Sequence, residues 1–169
     1  MTIFDESAIR NLFDSSLKAA KTRLASLKIC CSDEPDFQGL SGWVFEQTIH
    51  YCLRKELQAR NTRVNIREQE SLGGRAKADL VIGPVAMEIK KSGLFAGNAA
   101  SRYCRYRVAA ERKGCSYLYL TLEESYPPCR QAIVKGLGRQ NAFFLDTQGE
   151  WRRVIKRLLK ELKNHKRSN

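Results

Sequence analysis

The chain has 169 residues, 43% of them hydrophobic and 28% charged, which suits one domain with a sizeable core and excludes a disordered chain. No apolar run approaches the roughly 20 residues that span a bilayer, and MTIFDESAIR at the N-terminus carries an acidic pair where a signal peptide has its apolar stretch, so a cytoplasmic protein is expected. A formal net charge of +12 favours a polyanionic partner, nucleic acid first.

Residues 5–28 predict a helix: Ile9, Leu12, Phe13, Leu17, Ala20, Leu24 and Leu27 recur at helical spacing, with Asp5 or Ser7 as the cap. CCSDEPDFQG breaks the pattern with Pro35 and Gly39. A second helix is predicted over 40–58, then a strand over 62–72 with Val64 and Ile66 on one face. GGR turns the chain into KADLVIGPVAMEIKKSG (77–93), which reads as a hairpin closed at Gly83–Pro84. After the loop GLFAGN comes a helix over 99–114, stopped by Gly114. A strand (115–122), the loop ESYPP, a short helix (129–140) and a strand (141–147) follow. The last helix begins near Glu150, with an apolar stripe of Trp151, Val154, Ile155, Leu158, Leu159 and Leu162. This order, without repeats or linkers, predicts a single α/β domain whose mixed sheet starts antiparallel and continues through a crossover.

Six cysteines, at 30, 31, 52, 104, 115 and 129, form no CxxC pair and match no zinc spacing. They read as reduced, mostly buried thiols, and nothing near Cys30–Cys31 argues for redox chemistry. Residues 151–169 hold eight Lys/Arg and one Glu, a net of +7, which leaves +5 for the rest. This basic helix reads as a solvated face that adds nonspecific, salt-sensitive affinity for nucleic acid.

The hairpin carries the chemistry. A Gly83–Pro84 loop sets Ile82 against Val85, hence Asp79 against Glu88 and Lys77 against Lys90. Alternation puts Ala78, Leu80, Ile82, Val85, Met87 and Ile89 on an apolar face, and Lys77, Asp79, Val81, Ala86, Glu88 and Lys90 on the other. Opposed like charges destabilise a strand pair by up to roughly 1 kcal/mol, which the lysines offset in part. One reading is an ordinary solvent-facing side. The other is a divalent-cation site, because two carboxylates at one point suit a hard, oxygen-seeking ion, and a lysine beside them can hold a water and stabilise charge on a phosphate. Glu46, on an arc of the second helix shared with Trp43, Ile49, His50, Leu53 and Leu57, needs a partner. His50 is one candidate; Lys90 or a metal-bound water is the other.

Asp79 followed by Glu88-Ile89-Lys90 on adjacent strands, after a helix and a strand, resembles the PD-(D/E)xK nuclease superfamily. The resemblance implies a restriction-endonuclease-like fold, a central mixed sheet flanked by helices in the order α-β-β-β-α-β, spanning 40–122. Residues 1–38 become an N-terminal helical extension, and 150–169 a basic C-terminal helix. It implies Asp79, Glu88 and the Ile89 carbonyl as ligands of Mg²⁺, with Mn²⁺ able to substitute, Lys90 as the catalytic lysine, and Glu46 as the glutamate many members carry before the sheet. Ala78 stands where the nominal motif has proline. The helix after the motif interleaves Arg102, Arg105, Arg107 and Arg112 with Tyr103 and Tyr106, a mixture suited to phosphate contact and stacking. Arg102 and Tyr106 match the family's later motif loosely. Arg75 and Lys91 flank the site and are placed to meet phosphates. The expected activity is Mg²⁺-dependent endonucleolytic hydrolysis of DNA. The alternatives are a dimeric resolvase of branched DNA and a nucleic-acid-binding module without catalysis, with RNA left open as substrate.

Overall fold

The computed structural model describes residues 2–28, 39–95 and 97–168. The elements are α1 (Glu6–Lys28), α2 (Leu40–Gln58), β1 (Ile66–Gly73), β2 (Ala76–Ile82), β3 (Val85–Lys90), α3 (Gly97–Arg112), β4 (Ser116–Thr121), α4 (Pro127–Leu137), β5 (Ala142–Phe144) and α5 (Glu150–Ser168). Their order is the one predicted, and several boundaries move for local reasons. Asp5 caps α1, its Oδ1 accepting the Ala8 N–H at 2.8 Å. α4 starts at Pro127 inside the predicted loop, because the first helical turn has no use for the N–H groups that Pro127 and Pro128 lack. β5 is shortened to three residues by a turn in which the Thr147 N–H returns to the Phe144 carbonyl. β1 begins only at Ile66, leaving Val64 in the segment before it. Cys30 and Cys31 lie outside the described residues. Cys52, Cys104, Cys115 and Cys129 are free thiols, the first and last buried and the other two half-buried.

The five strands form one mixed sheet in the order β1-β2-β3-β4-β5, antiparallel from β1 to β3 and parallel from β3 to β5. Helices cover both faces. Leu80, Ile82, Val85, Met87, Ile89, Leu118, Leu120 and Phe143 pack against α1, α2 and α5, and Trp151 is fully buried there. On the opposite face Val81, Ala86, Tyr117, Tyr119 and Phe144 pack against α3 and α4. The charged side of the hairpin is therefore not a wet face: it lies under a helical layer, and Asp79 and Glu88 are only 9% and 4% exposed. Gly83, at φ 56°, closes the hairpin as predicted, and Ile82–Val85, Val81–Ala86 and Leu80–Met87 pair across it.

Two buried carboxylates tie the helices together. Glu56 accepts the Ile3 and Phe4 N–H groups (2.8 and 3.1 Å) and the Trp151 indole N–H (3.1 Å), and it pairs with Arg60, joining the N-terminus, α2 and α5. Glu150 meets Arg139, Arg153 and the Phe144 N–H; these hydrogen bonds outweigh the cost of burial and lower its pKa. No helix among the described residues is long and apolar enough to cross a membrane.

Candidate active site

Beyond the Leu80–Met87 pair, the Asp79 side chain meets β3: its Oδ2 accepts the Ile89 N–H at 2.7 Å. The predicted main-chain pairing of Asp79 with Glu88 is thus replaced by a side-chain contact one residue further on. Lys90 projects beside Glu88, and its Nζ lies 2.7 Å from Glu88 Oε1 and 3.1 Å from Asp79 Oδ2. One ammonium bridges two carboxylates. Lys77, expected to share in this, is exposed and pairs across the sheet with Ser71 instead.

The cause of the departure lies across β2. Glu68 pairs with Leu80 and Glu70 with Ala78, and between them Gln69 sits opposite Asp79 at φ 51°. A non-glycine residue in the left-handed region costs about 1–3 kcal/mol and persists only where its surroundings hold it. At this level the alternation in β2 slips: Ala78, expected beside Leu80 and Ile82, packs with Val81 in the second core. The kink leaves Asp79 at the switch between the two faces. It also turns Gln69 toward α2, where its Nε2 donates to Glu46 Oε2 at 3.2 Å. Neither predicted partner takes Glu46; His50 pairs with Glu68 through Nδ1 at 2.5 Å.

Glu46 nevertheless belongs to the cluster. Burial raises its pKa to about 7, with Asp79 and Glu88 adding to the rise and Lys90 opposing it. The Glu88 carboxyl is likewise raised to about 7, first by burial and then by Asp79, against the pull of Lys90. Burial disfavours the Lys90 ammonium, but Glu88 and Asp79 outweigh it and its pKa rises. These shifts agree with one another: two carboxylates flank one ammonium and a third, Glu46, is coupled to them through space, so the lone cation is favoured and each further anion is not.

A hard divalent cation fits this donor set. Asp79 Oδ1 and Glu88 Oε2 make no hydrogen bond among the described residues, and the cluster carries more negative charge than Lys90 balances. Among the described residues no three or more His, Cys, Asp or Glu side chains are gathered as a metal site. Mg²⁺ asks for only one or two carboxylates and keeps waters in its other positions, so two are enough.

The expected nucleic-acid contacts are distributed unevenly. Arg102, exposed on α3, bonds the Tyr103 hydroxyl at 2.9 Å and stacks 5.0 Å from the centre of that ring. It is also close enough to favour the Glu88 carboxylate. Tyr106 is half-buried edge-on to Tyr103 at 6.2 Å, as part of the second core. Lys91 is paired with Glu123. Arg75 is exposed in the β1–β2 turn, roughly 13 Å along the strand from Asp79. On α5, Arg153 and Arg157 are paired with Glu150 and Glu161.

Two features escape the sequence. Gln69 reads there as one more polar residue of a strand, and only its backbone angle marks it. Tyr117, which reads as strand core, buries a hydroxyl with no hydrogen-bond partner among the described residues, and its pKa is raised by burial and then by Glu88. No family model matches the chain, nor does any curated protein or solved structure.

Proposed function

We propose that this chain is a Mg²⁺-dependent endonuclease of the PD-(D/E)xK kind, hydrolysing phosphodiester bonds in DNA. The observation that carries the reading is the convergence of Asp79 and Glu88 on the single ammonium of Lys90, with Glu46 within electrostatic reach of all three. The order α2-β1-β2-β3-α3-β4 is that of the superfamily's core and supports it. Asp79, Glu88 and the Ile89 carbonyl would hold the ion, which supplies Lewis-acid polarisation of the scissile phosphate and a more acidic water.

The chain's own groups supply the rest. Lys90 Nζ, with one N–H left over from Asp79 and Glu88, offers a hydrogen bond to the attacking water, and its positive charge favours the phosphate oxygens that gain charge. Hydrolysis joins the water oxygen to phosphorus, breaks one P–O ester bond and moves one proton. Glu46, with a carboxyl that titrates near neutrality, is suited to take that proton. Gln69 fixes the orientation of Glu46, and Arg102 adds positive charge at the rim beside Glu88.

The test is plasmid cleavage with Mg²⁺ by wild type and by Asp79→Ala, Glu88→Ala and Lys90→Ala. Each variant is expected to lose at least about a hundredfold in rate. Three variants that all cut as fast as wild type refute the assignment. The gathering of only two acidic ligands favours one competing reading, a nucleic-acid-binding module without catalysis. DNA binding with no heat of Mg²⁺ or Mn²⁺ binding in a calorimeter would establish that alternative.

A further inference from the structure

A wide cavity lies away from the carboxylates, between α2 and the segment leading into β1. It has a volume of about 730 Å³, and a second cleft of about 420 Å³ shares His50, Arg54 and Gln58 with it. The two form one trough. His50, Arg54 and Gln58, four apart on one face of α2, line both clefts, and Glu46 lies one turn before His50 on the same face, beyond the lining. At one end the trough reaches Glu68, the neighbour in β1 of the Gln69 that bonds Glu46. At the other it is floored by 62–66, with Arg63 at its edge.

The charge in this trough is unmatched. Arg54 and Arg63 are exposed and make no hydrogen bond or ion pair among the described residues. Glu68, the one acid lining either cleft, is already engaged by His50 and by Gln47, whose Nε2 donates to it at 3.2 Å. Elsewhere the molecule pairs its half-buried arginines: Arg130 with Asp146, Arg153 with Glu150, Arg157 with Glu161. Two arginines left without an acid along one concave surface suit an anion with repeating charge.

We propose that the α2–β1 trough binds the phosphodiester backbone of a single nucleic-acid strand and leads it to the Glu46–Lys90 cluster. Arg54 lies two helical turns beyond Glu46, roughly 12 Å away, so it meets a phosphate a few nucleotides from the reacting one. The cavity volume is that of a pocket for small ligands, which accommodates a few nucleotides of one strand and not the breadth of a duplex. The direction assigned to the strand rests on the nuclease reading; the presence of the binding surface does not.

The experiment measures fluorescence anisotropy of a short labelled single-stranded DNA, in EDTA so that neither metal binding nor cleavage contributes. It compares wild type with Arg54→Gln/Arg63→Gln and with Arg152→Gln/Lys156→Gln, an exposed pair on α5. All the residues changed are on the surface, so thermal midpoints close to wild type are expected and are measured alongside. For the Arg54/Arg63 variant the expected result is about a tenfold loss of affinity and a salt dependence shallower by about 1.4, two phosphate contacts' worth for a single strand, between about 50 and 200 mM salt. The α5 variant is expected to lose less. No binding by wild type, equal binding by the Arg54/Arg63 variant, an equal loss in the α5 variant, or a loss seen only with a duplex of the same sequence overturns the proposal. A protein that binds through Arg54 and Arg63 yet does not cut in Mg²⁺ keeps the trough and refutes the nuclease assignment alone.

Discussion

Replacing Glu88 by glutamine should stabilise this protein and, on the proposed nuclease reading, abolish cleavage. Glu88 is 4% exposed, and its carboxyl is held at about 7, against 4.5 for an ordinary glutamate. Because the folded-state pKa is the higher one, the folded protein binds the proton more tightly than the unfolded chain. The contribution of Glu88 to stability is therefore most favourable below about pH 4.5, declines as pH rises from there to about 7, and is level above. Each pKa unit is worth about 1.4 kcal/mol, so at pH 8 the ionised Glu88 costs the fold about 3 kcal/mol. Glutamine has the shape of the acid and the charge of its protonated form. The loss of Lys90's ion pair does not cancel the gain, since the protonated acid leaves Lys90 in the same position. Urea denaturation at pH 8 should show Glu88→Gln more stable than wild type by up to about 3 kcal/mol, and at pH 5 by less than about 1 kcal/mol. Comparing the two proteins at each pH cancels the contributions of groups remote from the cluster; Glu46, whose carboxyl Glu88 helps to raise, shifts in the same direction as the gain. A variant no more stable than wild type at pH 8, or a gain of the same size at both pH values, would refute the account of the site as an over-charged cluster.

Mg²⁺ should raise the thermal midpoint of the wild type at pH 8 by more than at pH 5.5, because protons and cation compete for Glu88 and Glu46; differential scanning fluorimetry reads this, and Asp79→Asn should remove most of the shift. Glu56→Ala should cost about 3 kcal/mol or more in urea denaturation, since it leaves the Trp151 indole N–H and two main-chain N–H groups without their acceptor at once; a loss below about 1 kcal/mol would show that these groups find other partners.

Periodicity and turn chemistry carry most of the fold. The heptad-like spacing of α1, the stripe of α5 and the Gly83–Pro84 turn each depend on neighbours within a few residues, and those elements form where expected. The hairpin register could be read for the same reason, and it brought Asp79, Glu88 and Lys90 to one place. What could not be read depends on long-range contact. Nothing local to Gln69 forecasts a left-handed strand residue, and its side-chain partner, Glu46, lies on a helix well before it in the chain. A strand's alternation does not record whether the helix that follows it, α3 beginning at Gly97, folds back over it. Arg54 and Arg63 went unremarked in the sequence because an arginine's partner, or lack of one, is a property of the folded surface.

The left-handed residue at position 69 divides the outer strand into two halves that answer to different helices. Before it, Glu68 is held by Gln47 and His50 of α2; after it, the Ser71 carbonyl receives the Lys113 ammonium just beyond α3, at 2.7 Å. Each half is thus tied to a different helical layer, while the pairs Ile66–Ile82 and Ser71–Lys77 run on both sides of the kink. The carboxylate cluster sits at that joint. Its geometry is therefore set by both layers at once, and not by the sheet alone.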